Sequence, residues 1–272
     1  MSTASEEIQA GKRFAFGRNW TAFLETLDES RIRIAVESLE ELLDQSTLEG
    51  QFFLDAGSGS GLFSLAARRL GARVRSLDFD QDCIRCAETL REQFDSHPEE
   101  WTIQHGSVLD QELISSLGTF DVVYSWGVLH HTGDMWQAIE NLLPLVKPDG
   151  LIVLALYNHQ GWRSRMWRRV KELYCSGTLG RCCVLAVGVP YFALRTVAVS
   201  MIRRRNEFAE YRRNRGMSIV HDWIDWLGGL PFETARPDDV IAVLESRKFT
   251  LERSRLTKRL GCNEFVFRRT AE

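Results

Sequence analysis

Residues 52–61 read FFLDAGSGSG, an apolar segment that runs directly into a glycine-rich turn. A second strand-like segment at 73–77 ends in the acid Asp78. In doubly wound α/β folds the first strand delivers such a turn, and its glycines let the backbone approach a ligand where a Cβ atom would clash. The acid after the next strand reaches the ribose hydroxyls of the ligand. The stretch therefore predicts a parallel α/β sheet that holds a nucleoside-bearing cofactor.

The spacing of the glycines distinguishes between cofactors. Gly57, Gly59 and Gly61 form G-x-G-x-G after Asp55, whereas the dinucleotide fingerprint G-x-G-x-x-G has its third glycine one position later. A helix is predicted over 62–70, directly after the turn. With an acid before the glycines, the pattern resembles the first motif of the class I S-adenosylmethionine-dependent methyltransferases.

This resemblance implies a role for each residue of the motif. In that family the acid and the glycines face the methionine part of S-adenosylmethionine, and the acid after the second strand binds the ribose. The residues assigned to the cofactor in this way are Asp55, Gly57, Ser58, Gly59, Gly61, Asp78 and Phe79. More narrowly, the chain resembles small-molecule methyltransferases of the bacterial quinone-biosynthesis type and those that accompany surface-polysaccharide enzymes.

The loop after the third predicted strand departs from the family pattern. Many members carry Gly-Asp there, and the Asp accepts a hydrogen bond from the adenine amino group, but this chain has Ser107 after Gly106. Asp110 could take this role if the loop turns back, and the backbone amide of Val108 is the alternative. We therefore expect Ser107 and Val108 to border the adenine.

Residues 120–131, FDVVYSWGVLHH, resemble the fourth-strand motif of the family. Open α/β sheets bind ligands at the carboxyl ends of their strands, and the resemblance implies that Ser125 and Trp126 border the methionine end of the cofactor. It also aligns His131 with a histidine that many small-molecule methyltransferases carry. Since an ordinary histidine pKa of ~6.5 suits proton acceptance near neutral pH, His131 is a candidate base. The alternative is that it caps or packs the following helix.

Composition sets the broad class of the protein. A chain of 272 residues can bury one large core, or one core with an insertion. The N-terminus shows neither a basic start nor an apolar run, so we expect no secretory signal and a cytoplasmic location, with membrane association left open. Six irregularly spaced cysteines do not indicate a disulfide framework. Cys83-x-x-Cys86 has no second pair at zinc spacing, and no metal site is predicted.

The segment 161–216 differs from the rest of the chain in charge. It holds thirteen Arg or Lys residues against three Glu, a local net of +10 in a chain whose formal charge is −3.

Residues 182–202 within it are almost wholly apolar and approach the length of a membrane span. Arg195 near their centre would cost ~2.5–3.5 kcal/mol in a true span. The pattern favours a helical lid that contacts an anionic membrane interface, and a buried lid or a dimer helix remains an alternative. Nucleic acid is not expected as a partner, because no RNA-binding module accompanies the charge.

Aromatic and polar residues on both sides of the predicted core are candidates for contact with the methyl acceptor. Phe14, Phe16 and Trp20 either lie across the cofactor mouth or pack an N-terminal helix on the sheet. Trp223 and Trp226 either line the acceptor pocket or form the core of the lid. The predicted acceptor contacts are Trp20, Asn158, Trp162 and Trp223, and His221 is a second candidate base.

Strands and helices alternate along the chain, which predicts an α/β fold: a doubly wound, Rossmann-like sheet of seven strands with a C-terminal antiparallel hairpin and a helical lid insertion. The predicted strands are 52–56, 73–77, 101–105, 121–125, 151–157, 250–256 and 263–268, and the predicted helices are 12–45, 62–70, 82–95 and 237–246, with a turn at 147–150. The predicted domains are an N-terminal helical cap (1–48), the S-adenosylmethionine-binding core (49–157), the basic and aromatic lid (158–236) and the C-terminal part of the core sheet (237–272).

The function predicted from these features is an S-adenosylmethionine-dependent methyltransferase. We expect O-methylation of a small amphipathic or phosphate-bearing acceptor, such as a lipid-linked sugar, a quinone precursor or a natural-product intermediate. The alternatives left open are N-methylation of a small molecule and a non-catalytic S-adenosylmethionine-binding module that serves assembly or sensing. Homo-oligomer formation is also left open.

Overall fold

Seven strands form one sheet in the part of the chain that the structure describes. The structure is a computed structural model that describes Glu6, Glu7, Ala10, Arg13, Phe14, 27–203 and 219–271, and only the backbone of residues 220–222 and 225. The strands are β1 (Phe52–Ala56), β2 (Arg73–Asp78), β3 (Trp101–His105), β4 (Phe120–Trp126), β5 (Val146–Tyr157), β6 (Phe249–Arg255) and β7 (Cys262–Arg269). Their spatial order is β3-β2-β1-β4-β5-β7-β6.

The strand directions confirm the predicted α/β sheet. Strands β1 to β5 pair with one another in parallel, and β7 is antiparallel to both β5 and β6. The closing hairpin is therefore the predicted one. The strand order reverses between β1 and β4, and ligands of open α/β sheets bind at the carboxyl ends of the strands at such a point.

Helices cover the sheet and form a second group of their own. They are α1 (Glu29–Leu43), α2 (Leu62–Arg69), α3 (Gln81–Phe94), α4 (Gln111–Ser116), α5 (Met135–Leu142), α6 (Trp162–Cys175), α7 (Thr178–Arg203), α8 (Ile219–Gly228) and α9 (Pro237–Ser246). Short 3-10 turns lie at Pro98–Glu100, Leu129–His131 and Leu143–Leu145.

Four of these helices begin at an aspartate whose carboxylate caps the first turn. The carboxylates of Asp28, Asp80, Asp110 and Asp134 accept hydrogen bonds from backbone amides two or three residues later, at 2.9–3.2 Å. A side-chain acceptor at this position satisfies an amide that has no partner within the helix. The caps of α3, α4 and α5 follow β2, β3 and β4, so they hold the loops at the carboxyl edge of the sheet.

The structure differs from two of the sequence predictions. The helix predicted over 12–45 begins at Glu29 among the described residues, and Arg13 and Phe14 are not helical. The turn predicted at 147–150 lies inside β5 as an irregularity: Val146 pairs with Phe120, and pairing resumes at Leu151 with Val122. A Cβ atom at Gly150 would lie 2.9 Å from the carbonyl oxygens of Asp121 and Lys147, so glycine lets this bulge stay close to β4.

The described residues divide into two compact units, whose boundaries differ from the predicted domains. One comprises 28–160 and 233–272, and contains the sheet with α1 to α5 and α9. The other comprises the described residues of 1–27 and 161–232, and contains α6, α7 and α8. The core of the sheet unit is built from side chains of the inner strands and of α5 and α9, including Leu54, Val123, Ile139, Leu154, Val240 and Phe267.

The helical unit has its own small core. Tyr174, Val184 and Leu227 are buried there, and Phe14 packs on Tyr174 with ring centroids 5.9 Å apart. Phe14 thus packs among the helices of this unit; the sequence alternatives placed it across the cofactor mouth or in the packing of an N-terminal helix on the sheet. Lys171 is fully buried: its ammonium donates to the carbonyl oxygen of Trp226 and lies 4.7 Å from the centroid of the Trp226 ring.

In the sheet unit, Arg68 on α2 is the hub of a buried polar cluster. Its guanidinium donates to Asp95 at 3.1 Å and to Glu100 at 2.9 Å, and also to the carbonyl oxygens of Ala72 and His97. The side chains of Arg68 and Asp95 are 4% and 5% exposed. Removal of one member of such a pair leaves a buried charge without compensation.

We expect Arg68→Met to lower the free energy of unfolding by about 3–5 kcal/mol, because Asp95 would stay buried without its partner. Arg69→Met is the matched control on the next position, since the pair of Arg69 with Glu29 is exposed and should contribute at most ~1 kcal/mol. Urea denaturation of both variants measures the difference. Equal destabilisation by the two substitutions would contradict this account.

Candidate active site

The glycine turn joins the carboxyl end of β1 to α2 and is bound to the end of β2. Gly57, Gly59 and Gly61 have φ angles of 87°, 54° and 82°, a region that residues with a Cβ atom rarely adopt. The amides of Gly57 and Ser58 donate to the carbonyl oxygen of Leu77 at 2.7 and 3.1 Å. A Cβ atom at Gly57 would lie 2.3 Å from the side chain of Val128, so the turn passes close to the loop after β4.

Asp78 lies where the sequence predicts it, beside this turn. One carboxylate oxygen accepts a hydrogen bond from the amide of Gly59 and the other from the amide of Asp80, both at 2.8 Å. Burial, the largest effect, raises the pKa of Asp78 to about 6, and the two amide hydrogen bonds oppose that rise. Each carboxylate oxygen can accept more than one hydrogen bond, so Asp78 keeps acceptor capacity for a diol.

Asp55 is buried and hydrogen-bonded to α2. It is 2% exposed and accepts a hydrogen bond from the hydroxyl of Ser64 at 2.6 Å. The Ser64 and Ser76 hydroxyls lie 2.7 Å apart, and the indole Nε1 of Trp101 donates to Ser76 at 2.7 Å. Burial raises the pKa of Asp55 to about 7, with a further contribution from the charge of Asp78. In this structure Asp55 therefore links β1, α2, β2 and β3, and direct contact with a cofactor stays a prediction.

The loop after β3 uses its polar side chains internally. The hydroxyl of Ser107 accepts from the amide of Leu109 at 3.1 Å, and the side chain of Val108 is buried. Asp110 caps α4, so the structure does not show the alternative in which it turns back toward an adenine. On the other side, the Phe79 ring stacks on His105 with centroids 6.4 Å apart, and His105 Nε2 lies 3.0 Å from the carbonyl oxygen of Phe79.

The two residues predicted at the end of β4 have different surroundings. Ser125 is fully buried and donates to the carbonyl oxygen of Ala56 at 2.7 Å, which ties β4 to β1 where the turn begins. Trp126 is 37% exposed, and its indole Nε1 donates to Glu264 at 3.1 Å. Gly127 follows with a φ of 79°, and a Cβ atom there would meet open space. This edge of the sheet therefore opens at Trp126 and Gly127.

His130 and His131 form a cluster with Tyr157 beyond β4. The amide of Tyr157 donates to His130 Nδ1 at 3.3 Å, and the His130 ring lies on the Tyr157 ring at a centroid distance of 3.8 Å. His131 meets Tyr157 edge-on at 5.3 Å and is 9% exposed, whereas His130 is fully buried. His131 is thus the histidine of the pair with solvent access, and it remains the candidate base.

The predicted acceptor contacts belong to both compact units. The Asn158 amide donates to the carbonyl oxygen of Thr257 at 2.7 Å and its oxygen accepts from Asn263 at 3.2 Å, so it holds the loop before β7. Trp162 is 63% exposed on α6, and Trp223 stacks on Phe192 with centroids 6.0 Å apart inside the helical unit. Trp20, Phe16 and the side chain of His221 lie outside the described residues. Their roles stay predictions.

Several residues at this edge escaped the sequence analysis. Tyr124 lies on β4 with its ring stacked on Phe63 at 5.4 Å, and burial raises its pKa well above the usual value. Glu264 on β7 reaches Trp126 because the register aligns both with Ala155. His105 and Tyr157 were also missed. Tyr124 lies within the fourth-strand motif but was not singled out there, whereas only the strand pairing brings Glu264 to the site.

The residues present fit an adenosyl group. The buried hydroxyls of Ser58 and Tyr124 have no hydrogen-bond partner among the described residues. Buried polar atoms in proteins nearly always have a hydrogen-bond partner, so these two hydroxyls are available to a bound ligand. The turn offers closely approachable backbone, and Asp78 offers acceptors beside it. Among the described residues, no group of His, Cys, Asp and Glu has the arrangement of a metal site.

The core of the chain matches a known family. Residues 54–152 match the sequence profile of a family described as a methyltransferase domain. The match runs from β1 to β5 and includes the turn, Asp78 and the end of β4. This part of the chain matches a methyltransferase domain, and its sheet has the Rossmann-like fold of S-adenosylmethionine-dependent methyltransferases.

Individual relatives are similar over the same part. A ubiquinone biosynthesis O-methyltransferase of Caulobacter vibrioides is 31% identical over 117 residues, which cover 42% of this chain and 44% of that protein. An uncharacterized methyltransferase of Mycobacterium tuberculosis is 30% identical over 137 residues, which cover 50% of this chain and 66% of that protein. The chain thus matches less than half the length of the Caulobacter relative.

Solved structures share the fold of the methyltransferase domain. Magnesium protoporphyrin IX methyltransferase from Synechocystis superposes with a TM-score of 0.54 at 13% identity, over 99% of this chain and 89% of that one. An O-methyltransferase family protein from Burkholderia thailandensis superposes with a TM-score of 0.55 at 14% identity, over 98% of this chain and 67% of that one. At these identities the likeness shows the fold alone.

The raised pKa of Asp55 gives the domain a predictable pH dependence. Because the folded pKa of about 7 exceeds the ordinary value of 3.8, the fold binds this proton more tightly than the unfolded chain. The stabilisation is complete below pH ~4 and is lost as the pH rises to ~7. Asp55→Asn should therefore flatten the pH dependence of stability, by on the order of 3 kcal/mol between pH 4 and 8.

Urea denaturation of wild type and Asp55→Asn at several pH values measures this effect. Asp82→Asn is the control, because Asp82 belongs to a partly exposed pair with Arg85 on the surface of α3. Identical pH slopes for wild type and Asp55→Asn would show that the buried carboxyl is not protonated in the fold.

Proposed function

We propose that the protein transfers a methyl group from S-adenosylmethionine to a hydroxyl of a small-molecule acceptor. The observation that carries the proposal is the pairing of the glycine turn with Asp78 in a domain that matches the methyltransferase family. The names of the relatives support it. One is a ubiquinone biosynthesis O-methyltransferase, and the Synechocystis structure contains bound SAH.

The chain supplies a binding site for each part of such a cofactor. Asp78 would accept hydrogen bonds from the ribose hydroxyls, and the Phe79–His105 pair would border the nucleoside. The turn at 57–61 and the open end of β4 at Trp126 and Gly127 would hold the amino-acid part. Ser107 replaces the acid that the resemblance leads one to expect at the adenine, so backbone amides of this loop would bind the base.

When bound, S-adenosylmethionine supplies an electrophilic methyl group on a positively charged sulfur. The contribution of the protein is alignment and exclusion of water, because positive charge disappears during transfer. A hydroxyl acceptor also has to lose its proton, and His131 is the group proposed to take it. The edge-on contact with Tyr157 and the neighbouring His130 ring hold the imidazole of His131 in place.

The charge of the helical unit supports an amphipathic or phosphate-bearing acceptor, such as a lipid-linked sugar or a quinone precursor. An N-methyltransferase is the alternative if the acceptor is an amine, which needs no base once deprotonated. A non-catalytic S-adenosylmethionine-binding module is the second alternative, and the internal use of Ser107 and Ser125 favours it. A cytoplasmic location stays a prediction.

Asp78→Ala should weaken binding of S-adenosylmethionine by about 1–3 kcal/mol, since two hydrogen bonds to a charged acceptor would be lost. Equilibrium dialysis with radiolabelled S-adenosylmethionine measures the affinity. Asp82→Ala on the next helix is the control and should bind as wild type does. Unchanged affinity of a folded Asp78→Ala protein would refute the assigned role.

His131→Ala should leave cofactor binding intact and lower turnover by about 10²–10⁴-fold, the usual contribution of a general base. The assay is transfer of a radiolabelled methyl group into an organic extract of bacterial cells.

His130→Ala serves as the comparison, because it removes the fully buried neighbour. Folding and cofactor binding are measured for both variants. If His131→Ala turns over at the wild-type rate, the histidine has no part in the reaction. If wild type itself labels nothing while it binds S-adenosylmethionine, the binding-module alternative replaces the methyltransferase.

A further inference from the structure

The helix α7 is apolar on two opposite sides. On one side Val184 and Gly188 are buried against Tyr174 and Leu227, and a Cβ atom at Gly188 would lie 2.7 Å from the Leu227 side chain. Helices α6 and α8 therefore already satisfy this side. A surface helix of a soluble domain usually has polar residues opposite such a packed side.

The opposite side of α7 is a continuous apolar stripe that faces solvent. Its members recur every three or four residues, which places them on one face of the helix. We call it the outward stripe; it consists of Leu179, Cys183, Val187, Pro190, Leu194, Val197 and Met201. Leu179, Val187, Leu194 and Met201 are 80%, 73%, 71% and 68% exposed. At 1.5 Å per residue the stripe is ~33 Å long.

The segment that forms α6 and α7, and so carries the outward stripe, is strongly positive. Between 161 and 203 the chain carries seven arginines and Lys171 against the single acid Glu172. The seven arginines are all exposed: Arg163, Arg165, Arg168, Arg169, Arg181, Arg195 and Arg203. An apolar stripe on a helical unit with this net positive charge complements a bilayer surface with anionic headgroups, where a basic residue near the surface contributes roughly 1 kcal/mol.

We propose that the outward stripe binds the surface of an anionic membrane, with α7 lying in the plane of the interface. A second copy of the chain fits less well, because pairing two outward stripes would bring together two helical units of high net positive charge. A spanning orientation is also disfavoured. The packed side of α7 would carry the arginines of α6 and the buried Lys171 into hydrocarbon.

Length and composition alone would allow α7 to cross a membrane. It has 26 residues, and 11% of its most apolar window is buried. Such a helix is weak evidence by itself. Two observations support the membrane contact: the stripe is exposed along one side of α7, and the helical unit has a high net positive charge. Neither depends on the activity proposed for the sheet unit.

Flotation of the full chain with vesicles tests the proposal. Recovery with vesicles of phosphatidylcholine and 30% phosphatidylglycerol should exceed recovery with phosphatidylcholine alone by about tenfold, and it should fall with added salt. Val187→Glu with Leu194→Glu, at the middle of the stripe, should lower recovery at least ~10-fold. The control Ile34→Glu with Leu256→Glu changes two exposed apolar residues of the sheet unit and should float as wild type does.

Circular dichroism and S-adenosylmethionine binding show whether each variant is folded. Absence of recovery with anionic vesicles at low salt would overturn the proposal. Equal recovery with both lipids would overturn its electrostatic part, and equal recovery of the Val187→Glu, Leu194→Glu variant would place the contact elsewhere. Recovery that resists extraction at pH 11 would indicate a spanning helix and contradict the in-plane arrangement.

A thiol of the stripe provides an independent readout. Cys183 can be labelled with an environment-sensitive dye in a variant in which Cys175, Cys182 and Cys262 are Ser, since Cys83 and Cys86 are buried. Anionic vesicles should shift the emission to shorter wavelength. A shift that appears without vesicles and grows with protein concentration would assign the stripe to a second copy of the chain and overturn the proposal.

Discussion

The hydrogen bonds from the amides of Gly59 and Asp80 to the carboxylate of Asp78 are the interaction on which the site depends. They connect the turn after β1 with the start of the helix after β2, and the amides of Gly57 and Ser58 secure the same junction through Leu77. The parallel register, with Ala56 opposite Leu77, places the two strand ends side by side. A half-buried acid is thereby held beside the half-buried backbone of a glycine turn, an arrangement suited to a ribose.

A buried chain of hydrogen bonds lies next to this junction. Asp55, Ser64, Ser76 and Trp101 form a continuous chain of hydrogen bonds across β1, α2, β2 and β3. The raised pKa of Asp55 shows that the ionised form is disfavoured in this environment. The domain thus keeps two acids with raised pKa values close to its glycine turn, and such groups cluster at functional sites.

The core of the fold could be predicted because its signals are local. Strands β1 and β3 and helix α9 have the predicted bounds. The ends of the other strands differ from the prediction by one residue, except that β5 begins at Val146 and not at Leu151. The sequence at 147–150, Lys-Pro-Asp-Gly, has the composition of a turn. In the structure it forms a bulge within β5, because β5 pairs with β4 on both sides of it. The glycine turn and Asp78 lie side by side, as predicted, because each directly follows the end of a predicted strand and the two strands are neighbours in the sheet.

The rest of the site depends on contacts between residues far apart in the chain. Glu264 meets Trp126 only through the register of β4, β5 and β7, and nothing near position 264 indicates it. The direction of the Asp55 side chain depends on Ser64 and Ser76, which look ordinary in the sequence. Similarly, the apolar run at 182–202 predicts a helix, but only the packing of Val184 and Gly188 shows which side of that helix remains exposed.

The most direct test of the account is hydrogen–deuterium exchange of the folded protein with and without S-adenosylhomocysteine. If the turn and Asp78 hold an adenosyl group, peptides covering 56–62 and 77–81 should exchange more slowly with the ligand, while NADH should have no effect. Unchanged exchange in both peptides at saturating S-adenosylhomocysteine, or protection by NADH alone, would contradict the central claim.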